Sequence, residues 1–200
     1  MKLILASNNA AKLEEMREIL NGLGVEVVSQ REAGCFFEVE ETGTSFEENA
    51  YLKAAAVTKA TGAAAVADDS GLMVEALDGA PGIYSARFTG NPTDNDEDRN
   101  AFLLRKLEGV QNRRAKFVSC LCCTFPNGDV LRARGEMHGA IAQAPRGNAG
   151  FGYDPLFLSD DYAGRTNGEL APGEKNAVSH RGRALRQFAE ELERYQNAHK

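Results

Sequence analysis

The sequence predicts an α/β fold on three observations. The chain opens strand–helix–strand, a well-capped helix leads into a strand of small residues, and the longest strand candidate is apolar on both faces. Lys2 to Ala6 reads as a short buried strand, and Ser7-Asn8-Asn9 as a turn able to cap a helix. Leu13, Met16, Leu20 and Leu23 then recur at spacings 3, 4 and 3 on one face, and Gly22 and Gly24 end the helix. Val25 to Ser29 returns as a strand, so the helix crosses over the sheet. Ser45-Phe46-Glu47-Glu48 has the form of a capping box, with Phe46, Ala50, Ala54 and Val57 as the apolar stripe and Gly62 as the stop. Ala63 to Ala67 follows as a strand ending in an Asp68-Asp69-Ser70-Gly71 turn, and Asp94 to Leu107 reads as a helix. Ala115 to Phe125 carries Val118, Cys120 and Cys122 on one face and Phe117, Leu121 and Cys123 on the other, as a central strand covered on both sides does. Pro126-Asn127-Gly128-Asp129 turns the chain into Val130 to Met137, and Leu185, Phe188, Leu192 and Tyr195 mark a closing amphipathic helix.

Composition narrows the function. Two hundred residues, 42% hydrophobic and 26% charged, supply a real core and suit one domain. The net charge of −6 disfavours duplex nucleic acid, whose affinity rests on a basic face. No apolar run approaches the ~20 residues of a membrane helix. The N-terminus turns polar too soon for a signal peptide, and Cys120, Cys122 and Cys123 crowd one strand where they cannot bridge each other. A cytoplasmic protein with reduced, buried cysteines is expected, not a zinc site.

Several stretches carry chemistry. Ser7-x-Asn9-x-x-Lys12 places open backbone amides and a cation at a helix start, an anion site without the P-loop pattern, although the stretch taken alone reads more simply as a plain cap and a solvated lysine. Glu40-Glu41-Thr42-Gly43 and Asp68-Asp69-Ser70-Gly71 offer carboxylates, the second set at a strand end where α/β sheets bind ligands. Such groups hold magnesium beside phosphate oxygens or deprotonate water, and the same residues also suit a turn and a solvated loop. Lys53 can snorkel, meet Glu41 or reach a phosphate. Phe151 and Tyr153 offer ring faces to a base, Asp154 an acceptor, and His180 and Arg181 donors at the start of the last helix.

Taken in order, Ser7-x-Asn9-x-x-Lys12, Glu40-Glu41-Thr42-Gly43, Phe46-x-x-Asn49-Ala50-x-x-Lys53-Ala54, Ala67-Asp68-Asp69-Ser70-Gly71-Leu72, Gly79 to Arg87, Phe151-Gly152-Tyr153-Asp154-Pro155 and Ser179-His180-Arg181-Gly182 resemble the non-canonical purine nucleoside triphosphate pyrophosphatases, the inosine triphosphate or dITP/XTP pyrophosphatase family. The resemblance runs from Lys2 to about Glu193. One departure is the segment Thr89 to Asn100, more acidic than the family pattern.

The resemblance implies Mg²⁺-dependent hydrolysis of ITP, dITP or XTP to the monophosphate and pyrophosphate. It implies a long mixed β-sheet with helices forming two lobes around a central substrate cleft, usually in a homodimer. Carried onto this chain, Ser7, Asn8, Asn9, Ala10, Ala11, Lys12, Lys53 and Lys175 would hold the triphosphate. Glu41 and Asp69 would hold the metal, with Asp69 also the base for water. Ser70, Phe151, Gly152, Tyr153, Asp154, His180 and Arg181 would surround the nucleoside. Donors from Arg181 and His180 suit a 6-oxo purine and reject adenine, by ~10⁴-fold in sites of that kind, and leave the 2-position to pocket shape. The rival from another class is a non-catalytic purine nucleotide-binding protein, which would need no Asp69.

Overall fold

The computed structural model describes residues 1–199. Its strands are β1 (Lys2–Leu5), β2 (Glu26–Ser29), β3 (Ala65–Val74), β4 (Arg114–Thr124), β5 (Val130–Ile141) and β6 (Phe157–Ser159). Its α-helices are α1 (Ala10–Leu20), α2 (Phe46–Thr61), α3 (Asp96–Lys106), α4 (Pro172–Val178) and α5 (His180–Ala198). The strands form one sheet in the order β2-β1-β3-β4-β5-β6. β1 runs parallel to β2 and to β3, with Ile4 opposite Ala65, whereas β6 runs antiparallel to β5, so the sheet is mixed.

By compactness the chain divides into two units. The first comprises Met1–Asp69, Ser119–Gly135 and Arg181–Lys200, and the second Ser70–Val118 and Glu136–His180. In the first unit both sheet faces are covered. Leu3, Leu5, Val66 and Leu121 pack with Met16 and Leu20 of α1 and with Leu185, Phe188 and Leu192 of α5. The alternate residues Ile4, Ala65, Ala67 and Cys122 pack with Ala50, Ala54 and Val57 of α2. Period-two alternation in the strands thus assigns one face to α1 and α5 and the other to α2. Small residues, Ala65 and Ala67 on β3 and Ala50 and Ala54 on α2, make up much of that second contact. The second unit has its own core of Leu72, Val74, Leu103, Leu107, Phe117, Met137, Tyr153 and Phe157.

Most expected elements form within a residue or two of their expected bounds, and Cys120, Cys122 and Cys123 are buried free thiols on β4. Two expectations are corrected. Asp68-Asp69-Ser70-Gly71 is no turn, because β3 continues straight through it to Val74. The Ser45 box closes differently: Ser45 Oγ accepts the Glu48 N–H at 3.1 Å, but the Glu48 carboxylate reaches one residue further back, to the N–H and hydroxyl of Thr44 at 2.6 and 2.8 Å. Short elements had no signal long enough to read in advance, among them β6 with its three residues, α4 with its seven, and the 3-10 turn Gly82–Arg87.

Candidate active site

The first unit gathers charge around β3. Successive strand residues point to opposite faces, so Asp68 turns towards α1 and α5 and Asp69 towards α2. Asp68 accepts Lys12 Nζ at 2.7 Å, Arg181 Nε at 3.2 Å and the Ser119 hydroxyl at 2.6 Å. Asp69 accepts Lys53 Nζ at 2.7 Å, and the same ammonium donates to Glu41 Oε1 at 2.9 Å. Both lysines also donate to the Asp68 carbonyl, each at 3.2 Å. The strand geometry explains this shared acceptor. β1 takes the carbonyls of Ala64 and Val66 through the Ile4 and Ala6 amides and then ends, so the next carbonyl along that edge falls to side chains.

Each partner is positioned by its own element. Ser7 Oγ accepts the Asn9 N–H, and Asn9 Oδ1 caps α1 by accepting the Lys12 N–H, both at 3.1 Å. This places Lys12 in the first turn, where the exposed Asn8, Ala10 and Ala11 lie and where helix amides lack intrahelical acceptors. On α2, Asn49 Oδ1 accepts the Gly43 N–H at 2.9 Å, which fixes the loop that delivers Glu41 to Lys53. A Cβ on Gly43 would lie 2.7 Å from that oxygen, so the close approach requires glycine. Arg181, in the first turn of α5, has its second contact through a 2.9 Å bond to Glu15.

The electrostatics follow from burial and pairing. Burial alone would raise Asp68, but Lys12 and Arg181 outweigh it and hold the carboxyl well below the usual range. Burial pushes Asp69 up, and although Lys53 pulls it down, Glu41 and Asp68 add repulsion in the same upward sense. Lys53 and Arg181 are each discouraged from charging by burial, yet the adjoining carboxylates hold both above their ordinary values. Asp69 is thereby held above its ordinary value, the opposite of Asp68.

The second unit is organised by hydrogen bonds around Asp154, whose side chain is 4% exposed. Asp154 Oδ2 accepts Lys175 Nζ at 2.6 Å and the Phe151 N–H at 2.9 Å, and Oδ1 accepts Asn167 Nδ2 at 3.1 Å. The Phe151 ring is half exposed, with Lys175 Nζ 4.9 Å from its centroid. Tyr153 is different: its ring is buried in the core and its hydroxyl donates to the Ser85 carbonyl at 2.8 Å. Of the two aromatic faces expected to meet a base, Phe151 alone is open. His180 stacks on Phe117 with centroids 4.9 Å apart, and Ser70 continues β3 directly after Asp69.

The structure therefore brings Ser7, Asn9, Lys12, Glu41, Lys53, Asp69 and Arg181 together around Asp68, and Phe151, Gly152 and Lys175 around Asp154. Sequence reasoning noticed Asp68 and Asn49 but assigned them no role, and it missed Glu15, Ser119 and Asn167. Glu15 had a signal, since it stands three residues after Lys12 on one helix face.

The Ham1 family model matches residues 3–191. A dITP/XTP pyrophosphatase of Exiguobacterium sp. is 50% identical over 192 residues, covering 96% of this chain and 97% of that protein. Among solved structures, a HAM1 protein from Coxiella burnetii is 41% identical with a TM-score of 0.90, over 96% of this chain and 98% of the other. A nucleoside-triphosphatase / dITP/XTP pyrophosphatase from Mycobacterium abscessus is 46% identical with a TM-score of 0.79, over 94% and 98%. With the family model spanning nearly its whole length, this chain belongs to the Ham1 family.

Proposed function

We propose that this chain, acting as one pyrophosphatase domain, hydrolyses the deaminated purine nucleotides dITP, ITP and XTP to the monophosphate and pyrophosphate. The observation that carries the reading is the pair of ammonium groups, Lys12 and Lys53, meeting at one strand carbonyl beside Asp69 and Glu41. In this reading the residues around Asp68 meet the polyphosphate and the metal, and the Phe151 loop meets the base.

The donor set fits magnesium. Glu41 and Asp69 are hard oxygen donors that both press on Lys53, and Asp69 is destabilised as an anion by Glu41 and Asp68, a repulsion a divalent cation relieves. Among the described residues no group of three or more His, Cys, Asp and Glu side chains forms a cage, which suits an ion that keeps water and phosphate oxygens as ligands. When bound, Mg²⁺ would neutralise phosphate charge and polarise the anhydride. Lys53 is matched by the very carboxylates a metal would take, so it becomes available to a phosphate only when a cation replaces it there. Lys12 and the α1 amides hold the phosphate tail, with Lys175 as the remaining cation assigned to it. Asp69, raised by its surroundings, accepts a proton from the attacking water. Phe151 stacks on the purine, and His180 and Arg181, neighbours at the start of α5, donate to a 6-oxo group. The working form is a homodimer in the cytoplasm.

The test is pyrophosphate release from a nucleotide panel with Mg²⁺. ITP, dITP and XTP should be cleaved far faster than ATP, and equal rates for ATP and ITP would refute the specificity. If ITP binds but no pyrophosphate forms, the protein is a nucleotide-binding module instead.

A further inference from the structure

The acidic segment Thr89 to Asn100 departs from the family pattern, and the reaction proposed above makes no use of it. Within the second unit this segment starts α3. Asn95 Oδ1 accepts the Asp98 N–H and Asp98 Oδ2 accepts the Asn95 N–H, both at 3.0 Å, so the helix start is fixed by its own reciprocal cap. Two further residues, one turn apart on the same face, reach a different part of the chain. Asp96 Oδ2 accepts the Gly152 N–H at 2.7 Å, and Asn100 Nδ2 donates to the Gly152 carbonyl at 3.0 Å. Asp96 is steadied by an ion pair with Arg99, and Asn100 is only 5% exposed.

Gly152 is the point in the Phe151-Gly152-Tyr153 turn most in need of such a hold. Its φ of +62° lies in the left-handed region, and nothing within 4 Å of a Cβ there would confine it sterically. The residues on either side are already tied, through the Phe151 N–H to Asp154 and the Tyr153 hydroxyl to Ser85. Rotation at Gly152 is the motion left, and α3 holds both of its peptide groups. We infer that Asp96 and Asn100 are positioning residues, which set the affinity of the enzyme for the purine by fixing the Gly152 peptides and hence the direction of the exposed Phe151 ring. The inference rests on the reading of Phe151 as the base-stacking residue.

The test compares wild type, Asp96→Ala and Asp96→Asn. The alanine removes the acceptor of the Gly152 N–H, whereas asparagine drops the charge at the helix start but keeps an oxygen there. Asp96→Ala should raise KM for ITP about tenfold while kcat stays within about twofold. Asp96→Asn should stay near wild type on both counts. Amide hydrogen exchange over residues 150–153 should quicken in Asp96→Ala and not in Asp96→Asn, a readout independent of turnover. Unchanged KM and exchange in Asp96→Ala would overturn the inference, as would equal losses in both variants, which would mark a helix-stability effect. Wild type that releases no pyrophosphate from ITP would instead defeat the functional reading itself.

Discussion

Two buried aspartates, one in each unit, are solved in opposite ways. Asp68 is held by two cations, Lys12 and Arg181, and one hydroxyl, from Ser119. Asp154 has one cation, Lys175, and two neutral donors, the Asn167 amide and the Phe151 N–H. The first arrangement concentrates charge and keeps cations in the middle of β3, where the neighbouring β1 ends. The second spends its acceptors on the backbone and an amide, and so shapes a loop. A buried carboxylate can therefore store charge or impose geometry, and its donor list tells which.

The largest expected effect bears on the charge-dense side. Asp69→Asn removes the proton acceptor and metal oxygen we propose, and pyrophosphate release from ITP should then fall by about 10³-fold or more while the protein stays folded. Retained turnover would take Asp69 out of the chemistry.

Stability separates the two aspartates next. Asp68→Asn leaves Lys12 and Arg181 facing an uncharged group in the interior and should cost about 3 kcal/mol in urea unfolding. Asp154→Asn keeps one oxygen, loses the Lys175 ion pair and turns its NH2 on one of the two neutral donors, so about 2 kcal/mol is expected, together with a weaker grip on the Phe151 loop. If Asp154→Asn proves the more damaging, the distinction between charge hub and geometry hub fails.

The pH dependence refines the same contrast. Asp68 is held below its ordinary value, so its contribution is complete above the unfolded value, near pH 4, and is lost as pH falls through the lower folded value. Wild type should lose stability below about pH 4 through this group, and Asp68→Asn should show a shallower acid limb. Urea midpoints across that range decide it, and parallel acid limbs would show that Asp68 is not held as its contacts indicate.

How much of this could be read in the sequence depends on the range of the interactions. The Ser7–Lys12 turn and the cysteine-bearing strand are local patterns, and they formed as expected. The path of β3 was not local. Asp68-Asp69-Ser70-Gly71 has the composition of a turn, and it stays extended where Asp68 meets Lys12, 56 residues away, and Arg181, 113 away. No window of sequence contains those partners. The Gly152 grip by Asp96 and Asn100 spans 56 and 52 residues and was hidden in the same way. Tyr153 misled for another reason: a tyrosine beside an exposed phenylalanine looks like a second stacking face, and only the core it enters says otherwise.

The sharpest question is whether nucleotide and metal enter together, since Lys53 is already matched by Glu41 and Asp69. Calorimetric titration of the wild-type protein with the non-hydrolysable α,β-methylene analogue of ITP, once with Mg²⁺ and once with EDTA, answers it. Binding should be at least about tenfold tighter with the metal, a difference of roughly 1.4 kcal/mol. Equal affinity in the two titrations would mean that the lysines need no cation to release them, and the coupling of metal to phosphate drawn from this geometry would be wrong.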